Sequence, residues 1–346
     1  MKPYLIASLT LALAVPAQAD TPPPIHFNVI GGGSHNYTFG AVEKPFWNQT
    51  LPARSGGSLT ASLRGLSESG LKGPEMVRLL RSGAVEIGMG VFAFVAGDDP
   101  FFEGIDLPGM APDIQTSRQI SSAFKPVLAE RMAEHHGVKL LATVPYTAQV
   151  FFCRDPLSSL ADLKGRKVRV RGRNMSDMIS ALGGAPMTLP FAEVVTAMQT
   201  GVIDCAVTGI GSGNAARWYD VANHLYNLPV DWSIGFYAIG LKRWQALPEP
   251  VQRLLQGQAQ ALEDRWWEAT ANENQSALAC NIGAPDCKIH RPARMQVSTP
   301  TDAERQVLQN AVLTIANDWG QRCGAPCVER WNATAGAAIG VHLQQP

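Results

Sequence analysis

The sequence has no surplus of charge of either sign. Lys and Arg total 29 and Asp and Glu total 29 in 346 residues, so the formal net charge is zero. Nucleic-acid binders carry a basic excess, and this balance argues against that class. Charge is also sparse, at 17%, below the roughly 25% of an average soluble domain. With 46% hydrophobic residues, low net charge excludes a disordered chain. No run beyond residue 20 reaches the roughly 20 apolar residues that a spanning helix needs. Low-complexity tracts and strong internal repeats are absent too, which excludes a solenoid.

Motifs of common chemistries are also missing. There is no P-loop, no G-x-S-x-G elbow and no H-E-x-x-H. Gly31-Gly32-Gly33 follows an apolar run, but the third glycine of a G-x-G-x-x-G pattern is replaced by Asn36. A tight turn into a helix start fits better than a dinucleotide site, although such a start can still line a cleft. His135-His136 stands beside Gly137, where a helix end favours cations over a metal site. No metal or cofactor is expected.

What is present begins with a leader. Lys2 precedes an apolar run at 5–15, and Ala17-Gln18-Ala19 forms a small-x-small site, the three parts of a secretory signal. Residues 1–19 are therefore expected to be a cleaved signal, with an exported mature chain starting near Asp20. Removing Lys2 leaves 28 basic against 29 acidic residues, a net charge of −1. Export places six cysteines in an oxidising compartment. Cys280/Cys287 and Cys323/Cys327 read as local clips around Gly- and Pro-containing loops. Cys153 and Cys205 are left to pair with each other. A zinc site would need tight Cys-x-x-Cys pairs or attendant His spacing, which the sequence lacks.

Apolar β-branched stretches alternate with helical patterns. Strands are expected at 25–30, 59–64, 85–91, 139–144, 149–153, 167–171, 186–189, 203–208 and 234–241. Helices are expected at 39–51, 75–81, 116–136, 174–183, 191–200, 252–268 and 303–319. Such alternation implies α/β blocks with largely parallel sheets. Two blocks joined by extended segments, then long helices, predict a two-lobed α/β clamshell.

The most informative stretch is 160–209. In Lys167-Val168-Arg169-Val170-Arg171, the valines share one strand face and the cations the other. A cationic face in a buried sheet needs an anionic partner, and Arg suits a carboxylate best. An edge strand with a solvated basic face satisfies the pattern equally well.

The run LADLKGRKVRVRG, followed by ALGGAPMTLPFAEVVTAMQTGVIDCAVTG, resembles the solute receptors of TRAP (tripartite ATP-independent periplasmic) transporters, the DctP-like family. The matching positions are Asp162 to Val170, Leu182 to Pro186, and Pro190 to Asp204. The turn from Leu79 to Gly88 and the helix start Trp244-Gln245-Ala246-Leu247-Pro248 are similar to the family's as well. The resemblance implies a periplasmic receptor with the two-lobed periplasmic-binding-protein clamshell, whose lobes close on a small organic acid, with a long helix across both lobes and membrane-embedded subunits as partners. It places the family's carboxylate-binding Arg at Arg169. Arg171 stands where the family usually has Pro or another residue, as a second anion contact or a surface charge. In this family the position of Val207 can belong to a metal-holding pair, and Val207 cannot ligate a metal.

Lobes are expected at 20–146 plus 235–278 and at 147–234 plus 279–346, in a monomer. Strand ends nominate further wall residues: Tyr37, Arg64, Phe92, Tyr146, Gln149, Thr208, Phe236 and Tyr237, with Phe39 and Phe94 beside them. The rival readings are a receptor for an ABC-type importer and a secreted enzyme on the same fold.

Overall fold

The computed structural model describes residues 24–346. The expected signal and its cleavage site lie outside the described residues. Among the described residues, eleven strands form two sheets. The first holds β1 (Ile25–Ile30), β2 (Leu59–Arg64), β3 (Ile87–Val91), β4 (Val138–Pro145) and β10 (Ile234–Gly240), in the order β2-β1-β3-β10-β4. The second holds β5 (Gln149–Cys153), β6 (Lys167–Val170), β7 (Ala185–Thr188), β8 (Cys205–Gly209), β9 (His224–Asp231) and β11 (Gln296–Ser298), in the order β11-β9-β5-β8-β6-β7.

The sheets are largely parallel, as the alternation implied, and each has one reversed strand. β10 runs antiparallel to β3 and β4, and β5 antiparallel to β8 and β9. These are the two strands reached directly after the chain changes sheets, through 146–148 and 232–233. β3, β5 and β10 are buried along their whole length, which explains their continuous apolar character.

Two strands were not legible. β9 contains Pro229, which reads as a strand breaker. It is tolerated because the pairing of β9 with β5 is irregular there and β11 pairs only with residues 224–226. β11 is three residues long and partly exposed.

The helix expected at 252–268 runs from Glu249 to Ile282. Pro248 precedes it and Gly283, at φ 73°, ends it, a left-handed cap that only glycine adopts easily. Val251, Leu255, Leu262 and Trp266 pack beneath the first sheet, while Ala277 joins the core of the second with Phe152 and Ile210. The long helix therefore spans both lobes.

The C-terminal part departs from the expected boundary. Residues 279–346 were assigned to the second lobe, yet Val328, Trp331, Ala335 and Leu343 pack with Phe102, Phe124 and Leu128 of the first. Helix Asp302–Cys323 touches both cores, with Leu308 and Ile315 on one and Val312, Ala316 and Trp319 on the other. Indole N–H groups fix this docking: Trp319 donates to the Pro100 carbonyl and Trp331 to the Gly104 carbonyl, both at 2.7 Å. An amphipathic pattern says that a helix has a buried face, not which sheet it covers.

All six cysteines are paired, Cys153–Cys205, Cys280–Cys287 and Cys323–Cys327. Cys153 and Cys205 are direct cross-strand partners in β5 and β8.

Candidate functional site

The two connections between the sheets lie side by side. The Tyr146 N–H donates to the carbonyl of Ser233 at 3.0 Å. Above them, a crevice opens between the strand ends of both lobes, with a volume of about 110 Å³. Sites for drug-sized ligands run to roughly 300–1,000 Å³, so this crevice suits a small metabolite.

The first lobe contributes the glycine turn after β1, with Gly32, Gly33, His35 and Asn36, and also Leu66, Met89 and Phe94. The turn does not serve a phosphate. The Gly32 N–H is taken by the Glu43 carboxylate at 2.9 Å, and the Tyr237 hydroxyl donates to the same carboxylate. Burial pushes Glu43 up to about 7, against the opposing effect of those two hydrogen bonds. Gly31 has to be glycine here, because a Cβ would lie 2.3 Å from Glu43 Oε2.

The second lobe contributes Gln149, Arg169, Arg171, Phe191, Thr208 and Ser212. β6 has neighbours on both sides, β8 and β7. Val168 and Val170 enter the core, so alternation sends Arg169 to the opposite face. That face is not a solvated edge: Arg169 is 2% exposed. Its Nε donates to the Leu189 carbonyl at 2.9 Å and its Nη1 to the Val207 carbonyl at 3.1 Å. The guanidinium also lies 6.0 Å from the Trp218 ring centre. Nη2 is buried and has no partner among the described residues. Burial, with the neighbouring Arg171, pushes Arg169 down to about 9, so it remains cationic at neutral pH. A fixed, dehydrated cation with one free N–H edge is built to receive an anion.

Arg171 is engaged differently. Its Nη2 meets Asp106 at 3.1 Å and also Asp231. These acids come from the first lobe and from the end of β9. Across the mouth of the crevice, His35 stacks on Phe191 with ring centres 5.2 Å apart, and Phe191 stacks on Trp218 at 5.0 Å. Lys72 and Glu193 pair beside them at 3.1 Å.

The family model for bacterial extracellular solute-binding proteins, family 7 (DctP), matches residues 32–320. The chain belongs to this family. Among curated relatives, the C4-dicarboxylate-binding periplasmic protein DctP of Rhodobacter capsulatus is 23% identical over 93% of each chain. A Haemophilus influenzae protein without an assigned function is 26% identical, over 56% of this chain and 59% of its own length. Among solved structures, DctP7 of Bordetella pertussis, an extracytoplasmic solute receptor binding pyroglutamic acid, superposes with TM-score 0.80 at 24% identity. That match covers 91% of this chain and 99% of the other.

In this family 7 chain, six of the nominated wall residues meet at the crevice: Phe94, Tyr146, Gln149, Arg169, Arg171 and Thr208. Six do not. Phe39 is buried, at 2% exposure. Phe92 and Phe236 are fully buried and pack on each other at 4.9 Å. Phe236 turns inward because Gly90 leaves it space, a Cβ there falling 2.4 Å from its ring. Tyr237 lies on the other face of β10, within the core and bonded to Glu43. Arg64 is exposed at the end of an edge strand. Tyr37 borders an adjoining groove with Asn214 and His290. Position at a strand end identified the right end of the sheet. It could not say which face each side chain would take.

Lining residues not named individually as ligand contacts include His35, Asn36, Leu66, Met89, Phe191, Ser212 and Ser233. Phe191 lies inside the family motif, which could have flagged it, and Met89 lies on β3, within the strand expected at 85–91. Ser212 comes from the short helix Ile210–Ala215 after β8, and the others are brought in by loops that carry no pattern of their own.

Proposed function

We propose that the mature chain is a periplasmic receptor that holds a small organic acid in this crevice and delivers it to the membrane subunits of a TRAP transporter. The observation that carries this reading is the unpartnered, buried Nη2 of Arg169 on the crevice wall. A carboxylate there would complete the arginine's hydrogen bonds and restore a compensated charge. The two sheets with their covering helices act as the lobes. The paired connections at 146–148 and 232–233 act as the hinge, since they are the points where the sheets exchange strands. Apolar Leu66, Met89, Phe94 and Phe191 would cover the rest of the ligand and exclude water. Family membership and a relative that binds pyroglutamic acid support the same reading.

Native mass spectrometry of the protein as purified, followed by a thermal-shift screen of carboxylates, tests the proposal. A true ligand raises the melting temperature progressively with its concentration. A screen in which only uncharged solutes stabilise the protein would refute the proposal.

A further inference from the structure

The crevice has two arginines of unequal standing. Arg171 shares its Nη2 between Asp106 and Asp231, and all three side chains are at most 8% exposed. The acids are themselves tied down: Asp106 accepts the Ile234 N–H at 3.1 Å, and Asp231 accepts the Ser233 N–H. Neither can swing away from the guanidinium. Two carboxylates thus face the single guanidinium of Arg171, and burial with the nearby Asp231 raises the pKa of Asp106. Arg169 has only backbone carbonyls as partners. Among the described residues, no Asp, Glu or Lys lines the crevice. Desolvation lowers the pKa of His35 and raises that of Tyr146, so both rings are neutral. The crevice therefore offers one uncompensated positive charge.

We infer that this site selects monocarboxylates over dicarboxylates, one carboxylate meeting Arg169 while the Asp106–Arg171–Asp231 trio disfavours a second. The inference rests on the organic-acid reading of the crevice. It also describes the far end of the ligand. Arg171 Nε and Asn36 Oδ1 are both buried without partners among the described residues. A neutral acceptor, such as a carbonyl or hydroxyl oxygen, suits the first, and an N–H or O–H suits the second. The class is thus a compact monocarboxylate with a neutral polar group away from its acid. A second carboxylate in the same place would accept from Arg171 Nε, but at the cost of lying beside two fixed acids that already neutralise that cation.

Titration calorimetry on the mature protein tests this with acids that differ by one carboxylate. Suitable pairs are L-lactate with L-malate and propionate with succinate. In every pair that binds, the monocarboxylate should bind at least tenfold more tightly. Asp231→Asn, which removes one acid from the trio, should narrow that ratio at least threefold. Asp106→Asn should act in the same direction if Asp231→Asn fails to fold by circular dichroism. Dicarboxylates binding more tightly, with binding abolished by Arg169→Ala, would overturn the selectivity and leave the organic-acid reading intact. An unchanged ratio in both Asp variants would remove the trio from the explanation. No binding by any acid would overturn the reading and the inference together.

Discussion

The Nε–H of Arg169 is held by the carbonyl of Leu189 at 2.9 Å. With Nη1 on the Val207 carbonyl, the guanidinium plane has no freedom left. Arg169→Ala should therefore weaken binding of the native acid by about 2–5 kcal/mol, roughly 30- to several-thousand-fold. Arg169→Lys should not restore it, because a single ammonium cannot bond both carbonyls and the ligand in a planar fork. Calorimetry with the acid identified by mass spectrometry measures both losses. Wild-type affinity in either variant would take Arg169 out of the site.

The contacts across the mouth should differ in weight. Phe191 joins His35 of the opposite lobe to Trp218 of its own, and Lys72–Glu193 is an exposed pair. Phe191→Ala should reduce affinity about 5- to 150-fold, since its two aromatic pairs contribute about 0.5–1.5 kcal/mol each beyond their area. Lys72→Ala should reduce it less than about fivefold, as exposed ion pairs contribute about 0–1 kcal/mol. The opposite ranking would mean that charge, not stacking, holds the lobes together.

Stability should fall as pH rises through neutrality. Glu43 is held up to about 7 in the fold by burial, above its ordinary value near 4.3. Between those values the folded protein binds more protons than the unfolded chain, so the free energy of unfolding decreases with pH. The stabilisation is fully present below the unfolded pKa and lost through about pH 7, on the order of 3 kcal/mol. Asp106 is raised to about 7 as well and acts in the same window. Glu43→Gln should remove part of the slope between pH 5 and 8 in urea melts, and adding Asp106→Asn should remove more. A slope unchanged by either substitution would contradict the assignment.

The Cys153–Cys205 bridge closes a separation of 52 residues that contains β7 and β6, the strand of Arg169. Replacing both cysteines with Ser should lower stability by roughly 4 kcal/mol on the chain-entropy account. Differential scanning calorimetry of the double variant measures this. Thiol labelling of the unreduced wild-type protein should detect no free cysteine. A labelled Cys153 or Cys205 would show that the bridge does not form.

The alternating hydrophobic pattern was enough to place most strands and helices, because burial on one or two faces leaves a period in the chain. Cysteine spacing was enough for the three pairings, because two were local and only two cysteines remained. The charge on β6 was visible as well, since the valines at 168 and 170 had to take the core. Other decisions belonged to the tertiary structure alone. Phe92, Phe236 and Tyr237 sit at the correct strand ends and still face inward, because the space left at Gly90 and the acid at Glu43 claim them. Trp319 and Trp331 cross to the first lobe because carbonyls at Pro100 and Gly104 accept their N–H groups there. Arg169 and Arg171, two residues apart on one strand face, differ only through what folds against them. One meets backbone carbonyls and keeps its charge for a ligand, and the other meets two aspartates from distant parts of the chain. Local sequence can specify a cation, but whether that cation is compensated depends on its neighbours in space.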